Sequence, residues 1–228
     1  MDLLAQKTVL VTGASGALGE EVCLAFQAAG AFVAGAARHA AQLQHCDLAI
    51  TADLSAPAGA VDAVAATLAA RPTLDAVVHL MGGFAAGGSA QDTPIEIWDR
   101  MMDLNARAAF SLFRAALPPM VAQRRGRLIA IGSRAGVTTP AGLSAYAASK
   151  AALHALVQVI AAENVHTGVT ANVVMPSTID TAVNRAAMPD ADPARWVSPQ
   201  SIAGLLVWLA SDASKDVNGA LLPIYGQA

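Results

Sequence analysis

The chemistry this sequence can do starts from a tyrosine and a lysine. Tyr146 and Lys150 stand four residues apart in a segment, Leu143 to Val165, that reads as a helix, so both side chains leave from one face. A free tyrosine titrates near about 10, too high for ready proton exchange at neutral pH, and an adjacent ammonium favours the phenolate and lowers that value. By itself the pair is a weak signal, because the same spacing often marks nothing more than a surface pair. Two further residues strengthen it. Ser133 lies just beyond the apolar run Arg127 to Ile131, at a strand's carboxyl edge, where a hydroxyl could polarise a carbonyl. Asn105 falls in a helical stretch suited to holding a water in a proton relay.

A second constellation lies near the start of the chain. Thr12-Gly13-Ala14-Ser15-Gly16-Ala17-Leu18-Gly19 follows an apolar run and leads into a helical pattern. Glycine allows the turn and the close approach of a pyrophosphate, and the free N–H groups at the start of the next helix receive its charge. The expected ligand is a dinucleotide, against the plainer reading of a glycine-rich strand-to-helix turn. The next strand ends near Ala37-Arg38, where the adenosine ribose should lie. An acid there would bind the ribose hydroxyls; Ala37 leaves that role empty, and Arg38 can meet a 2′-phosphate. The reading prefers NADP(H) over NAD(H), the alternative being that Arg38 is a solvated surface charge. Asp53, after the third strand, could accept from the adenine amino group or cap its own loop.

These residues need a scaffold, and the apolar pattern supplies one. Short runs at Thr8 to Val11, Ala31 to Ala36, Cys46 to Thr51, Asp75 to Leu80, Arg127 to Ile131, Val169 to Met175 and Ala220 to Ile224 alternate with longer helical stretches. Runs apolar at every position imply strands buried on both faces, the mark of a parallel sheet. Pro57, Thr93-Pro94 with Glu96, and Ser198-Pro199 mark helix starts. One α/β domain over residues 1–228 is expected, with a short lid at about 177–198 carrying Met188 and Trp196, which either meet substrate or pack on the lid's base.

Composition removes other classes. With 55% hydrophobic and 14% charged residues, and a net charge of -3, there is no clustered basic face for nucleic acid or an anionic membrane. The two cysteines, Cys23 and Cys46, stand apart without metal-ligand spacing, so no metal site is expected and the thiols read as reduced. No export signal or long uninterrupted apolar run is visible, and a cytoplasmic protein without a membrane partner is expected.

Over essentially its whole length the chain resembles the short-chain dehydrogenase/reductase family. The resemblance rests on the Thr-Gly-x-x-x-Gly-x-Gly turn at 12–19, Asp53, Asn105, Ser133, Tyr146-Ala-Ala-Ser-Lys150, and the Pro176 to Thr181 segment. It implies a Rossmann-type, doubly wound sheet of seven parallel strands in the order 3-2-1-4-5-6-7. It also implies a catalytic tetrad of Asn105, Ser133, Tyr146 and Lys150, and hydride transfer between nicotinamide and a small carbonyl or alcohol. Tyr146 would be the acid/base, Ser133 would polarise the substrate, and Lys150 would lower the Tyr146 pKa and bind ribose. Further cofactor contacts would come from Gly13, Ser15, Gly16, Ala17, Leu18, Gly19, Arg38, Asp53, Leu54, Met81, Gly82, Gly83, Tyr146, Lys150, Pro176, Ile179 and Thr181. Members of the family assemble as homo-tetramers or homo-dimers through the helices after the fourth and fifth strands, which suits the alanine-rich stretch Ala147 to Ala162.

Two segments depart from the family pattern. His79-Leu80-Met81-Gly82 replaces Asn-Asn-Ala-Gly, and His79, inside a buried strand, reads as structural rather than catalytic. Ser177 replaces the glycine after Pro176. The loop with Gly82-Gly83-Phe84 and the series from Asn184-Arg185 through Met188-Pro189 to Trp196 are similar to the dihydropteridine reductase branch, which makes Phe84, Met188 and Trp196 candidate substrate contacts. That branch carries an acid at the second strand end and lacks the serine, so quinonoid dihydropterin reduction is the second reading. A non-catalytic NADP(H) sensor would need only the glycine turn and Arg38, and the full tetrad disfavours it.

Overall fold

The computed structural model describes residues 2–39 and 42–227. Seven strands form one parallel sheet in the order β3-β2-β1-β4-β5-β6-β7. They are β1 (Thr8–Thr12), β2 (Phe32–Ala37), β3 (Leu48–Thr51), β4 (Ala76–His79), β5 (Gly126–Ile131), β6 (Val169–Pro176) and β7 (Leu221–Ile224). The expected order and strand count hold. The third strand is shorter than its apolar run, because Asp47 turns back to accept a hydrogen bond from Val33 N (2.8 Å) and starts the strand only at Leu48.

The period of two along each strand sorts side chains onto two faces. Leu10, Val77 and Val173 join a core covered by α2 (Pro57–Ala70), α4 (Ala108–Ala122) and α6 (Ser144–Glu163). Val9, Val11, Val78 and Val174 join the opposite core, covered by α1 (Ala17–Ala28) and α8 (Pro199–Ala210). Fully buried side chains such as Phe113 and Phe26 each contribute roughly 1.5–3 kcal/mol by leaving water. The 20-residue α6 helix, with a mean hydropathy of 1.2 over its most apolar 18 residues, is the one described helix long and apolar enough to cross a membrane, although the sequence showed no uninterrupted apolar run. Half of that stretch is buried, with Leu153, Val157 and Ile160 packed against the sheet, so its apolar character is that of a core helix.

β1 is hydrogen-bonded to β2 on one side and β4 on the other, so the chain leaves the sheet in opposite directions from neighbouring strands. In doubly wound sheets the carboxyl ends of such a strand pair are where the ligand-binding crevice opens. The glycine-rich turn lines it. Gly13 adopts φ +71°, and a side chain there would stand 2.9 Å from Met81 N. A side chain on Gly19 would run into the carbonyl oxygen of Gly13 and lie 2.7 Å from Ala14 Cα, so α1 can start this close to the turn only with glycine there.

Candidate active site

The residues expected to do chemistry meet at the carboxyl ends of β4 and β5. After β5 the chain passes through Gly132 and Ser133 into a single helical turn, α5 (Ala135–Thr138), and then α6. Ser133 is nearly buried, and its Oγ accepts from Ala135 N at 3.2 Å. In the first turn of α6, Tyr146 brings its hydroxyl close enough to Ser133 to feel the serine. Burial pushes the Tyr146 phenol above its ordinary value, and Ser133 opposes this in part. This differs from the expectation that Lys150 would pull the phenol down. The Lys150 ammonium instead donates to the carbonyl oxygen of Ile131, at 2.9 Å. Buried at the end of β5, Lys150 is itself lowered to about 8 by loss of hydration.

Asn105 sits inside a long helix that changes character around it. From α3 (Ile95–Met102) the helix widens to a π-helical turn over Asp103–Arg107 before α4. Such widened turns are frequent at functional sites. Asn105 is fully buried, and its Oδ1 accepts from Gly83 N (2.9 Å) while Nδ2 donates to Gly83 O (3.0 Å) and Ser149 Oγ (2.9 Å). Its amide therefore clamps the loop after β4 to α6. A side chain on Gly82 would stand 2.8 Å from Asn105 Oδ1 and 3.2 Å from Lys150 Nζ, so the loop presses closely on both.

His79 is structural, as its place in a buried strand suggests. Its Nδ1 lies 2.9 Å from Thr12 Oγ1 and links β4 to β1. Burial, with a smaller repulsion from Lys150, lowers it to about 3, so the ring is neutral. The residue that sequence reasoning missed is His154, one turn beyond Lys150 on α6. Its Nε2 accepts from Ser133 N at 3.3 Å. A side chain on Gly132 would collide with that nitrogen, and one on Gly136 would come within 2.6 Å of Cε1, so two glycines make room for the ring. The four-residue step from Lys150 was the available signal.

Phe84 lies edge-on to Tyr146, with ring centroids 4.9 Å apart at 74°, and is 64% exposed. Met188 and Trp196 are less direct. Met188 ends α7 (Ala182–Ala187), while Trp196 is half-buried beside Gly226 at the foot of the lid. The lid is tied to the sheet by Ser177 Oγ, which donates to Tyr225 O (2.6 Å), and by an isolated parallel bridge between Ile179 and Val197. Thr181 caps α7 by accepting from Asn184 N at 3.2 Å, and Asn184 Nδ2 donates to Ile179 O at 2.8 Å.

At the other end of the crevice, Gly16 opens α1 with no side chain capping the helix, which leaves backbone N–H groups of Ala17 and Leu18 for an anion. Together with the tight turn at Gly13 and Gly19, this cradle fits a dinucleotide pyrophosphate. Arg38 is exposed at the end of β2, and Asp53 stands close enough to feel its charge. Asp53 Oδ1 accepts from both Ser55 N (3.1 Å) and Ser55 Oγ (2.6 Å), so the loop-cap reading holds for that oxygen. The Leu54 side chain is in the core, and Met81 is half-buried against it.

A doubly wound parallel sheet with Ser133, Tyr146 and Lys150 gathered at its carboxyl edge defines an oxidoreductase acting on alcohols and carbonyls. The short chain dehydrogenase family model matches residues 7–192. The chain belongs to the short-chain dehydrogenase/reductase family. It is 32% identical over 229 residues to 2,3-dihydro-2,3-dihydroxybenzoate dehydrogenase of Escherichia coli (strain K12), covering 92% of each chain. It is also 32% identical to the rhamnolipids biosynthesis 3-oxoacyl-[acyl-carrier-protein] reductase of Pseudomonas aeruginosa, over 98% of this chain and 96% of that one. A short-chain type dehydrogenase/reductase from Mycobacterium ulcerans superposes with a TM-score of 0.92 at 26% identity, over 98% of this chain and 90% of that one.

Proposed function

We infer that the protein is an NADP(H)-dependent reductase of small carbonyl compounds, with Tyr146 as the proton donor. What supports this reading is the Tyr146 phenol beside Ser133, pushed above its ordinary value by burial. A neutral phenol is the form that gives up a proton, so the site is set for reduction at neutral pH. The nicotinamide, when bound, supplies or takes up the hydride. Ser133 donates a hydrogen bond to the substrate oxygen and polarises the carbonyl, and Tyr146 Oη delivers the proton to that same oxygen. Lys150 holds positive charge beside the crevice, and Asn105 fixes the Gly82-Gly83 loop against which the cofactor ring would lie.

The cofactor preference rests on Arg38, exposed at the end of β2 with no acid at Ala37. Gly13, Ser15, Gly16, Ala17, Leu18 and Gly19 would hold the pyrophosphate, Asp53 and Leu54 would border the adenine, and Pro176, Ile179 and Thr181 would meet the carboxamide end. Self-association as a homo-dimer or homo-tetramer forms part of the reading. Ile95 (64% exposed) and Phe110 (50%) on α3 and α4, with Val159 on α6, present apolar side chains on the helices expected to pair.

Titration of the purified protein with NADPH and NADH, followed by nicotinamide fluorescence, tests the proposal. Tighter NADPH binding that is lost in Arg38→Ala, with NADPH oxidation by ketones or aldehydes abolished in Tyr146→Phe, is the expected result. Tighter NADH binding overturns the cofactor assignment. The aromatic edge of Phe84 against Tyr146 favours keeping quinonoid dihydropterin among the substrates assayed.

A further inference from the structure

Behind the glycine-rich turn, away from Tyr146, three metal-ligating side chains converge. Cys23 projects from α1, and His45 and Cys46 lie in the segment leading into β3. Read along the chain the two cysteines stand apart, yet their sulfurs are 3.7 Å from each other. The two sulfurs and a ring nitrogen of His45 all lie within 4.8 Å of one another. With Zn–S bonds of about 2.3 Å, tetrahedral coordination separates two sulfurs by about 3.8 Å, which is close to the spacing found.

The His45 ring is also held in orientation from its far side. His45 Nε2 lies 3.1 Å from the carbonyl oxygen of Ala14. A carbonyl can only accept, so this nitrogen carries the hydrogen, and in the neutral ring Nδ1 is the atom left with a free lone pair. Metal-ligating imidazoles are oriented by this kind of bond through their other nitrogen. Cys46 Sγ is seated over Gly35, where any side chain would collide with it.

Electrostatics favours a cation here. Cys23 is fully buried and Cys46 half-buried. Two thiolates packed together beside a carboxylate would be costly unless a divalent ion balanced them. A cavity lined by Ser15, Glu20, Gln42, Gln44 and His45 reaches the imidazole from the outer side.

We propose that Cys23, His45 and Cys46 form a three-ligand zinc site. Zn²⁺ displaces the two thiol protons, which pass to solvent, and neutral His45 and a water complete four-coordination; no oxidation state changes. The ion fastens α1 to the lead-in of β3. Through the bond from His45 to Ala14 it also braces the glycine-rich turn.

The test uses reduced, metal-stripped full-length protein dialysed against Zn²⁺, with bound metal measured by atomic absorption, and Co²⁺ as a spectroscopic stand-in. One zinc per chain, proton release on binding, and a sulfur-to-cobalt charge-transfer band are expected. His45→Ala and Cys46→Ser should each weaken zinc by at least about 100-fold, with thermal melts showing that both variants remain folded. No zinc retained by the reduced wild type, a cobalt spectrum without the sulfur band, or binding unchanged in both variants overturns the proposal. None of these readouts requires turnover, so the zinc site stands or falls separately from the proposed reductase activity.

Discussion

The backbone N–H of Ser133 is held by the side chain of His154, one turn beyond Lys150 on the same helix. The serine expected to polarise the substrate is therefore positioned by α6 through its main chain, which His154 holds. Leucine at 154 would fill similar space but leave Ser133 N unpaired and buried. We expect His154→Leu to lose about 1–3 kcal/mol of stability, and kcat to fall by up to about 100-fold through misplacement of Ser133. NADPH affinity should stay close to that of the wild type. Steady-state kinetics with parallel thermal melts check this. A variant with unchanged kcat would make His154 a packing residue only.

That relationship also shows where the sequence stops being legible. The five inner strands were readable because each is a short run buried on both faces, Tyr146 and Lys150 as a four-residue step on one helix face, and Ser133 as a hydroxyl just past a strand. The widened turn at Asp103–Arg107 was not readable, since Asp-Leu-Asn-Ala-Arg has no composition that separates a π-turn from an α-turn. Its consequence, that the Asn105 amide reaches Gly83 in both directions, depends on how α3 and the loop after β4 pack together. The meeting of Cys23 with Cys46 likewise depends on where β3 starts beside β2, a tertiary register that spacing along the chain does not encode.

Lys150 sets the alkaline side of the pH profile. Burial lowers it to about 8, whereas burial raises Tyr146, so lysine loses its proton first as pH rises. Carbonyl reduction should hold level through neutral pH and decline above about 8 as the ammonium is lost. Lys150→Arg keeps a permanent charge, and whatever activity it retains should show no decline near pH 8. A pH–rate profile of both proteins tests this; the same decline in the variant would assign it to another group.

Acid should unfold the protein through its buried histidines. His79 is lowered to about 3 and His154 to about 4, both chiefly by burial, against about 6.5 for an unfolded histidine. Between those values the unfolded chain binds more protons than the folded one, so stability is fully present above about 6.5 and is lost as pH falls towards 4. The combined loss should be on the order of several kcal/mol. Urea unfolding at pH 7 and at pH 4.5 measures it. His79→Asn keeps a polar group able to bond Thr12 without a titrating ring, and it should flatten the slope between those pH values.

Phe84 gives the sharpest separation of substrate binding from folding. It is 64% exposed, so removing it should change stability by less than about 0.5 kcal/mol, apart from the ring contact with Tyr146. An edge-to-face pair contributes about 0.5–1.5 kcal/mol beyond its buried area, and a flat apolar substrate lying over Tyr146 would regain the same kind of contact with Phe84. Phe84→Ala should therefore raise KM for ring ketones by about 2- to 10-fold, with a smaller change for short acyclic carbonyls and none in NADPH binding. Phe84→Leu separates bulk from ring character: recovery with the acyclic substrates but not with ring ketones would identify the aromatic edge as the selective element. Equal losses for both substrate types would instead mean that Phe84 acts by holding the Tyr146 ring in place.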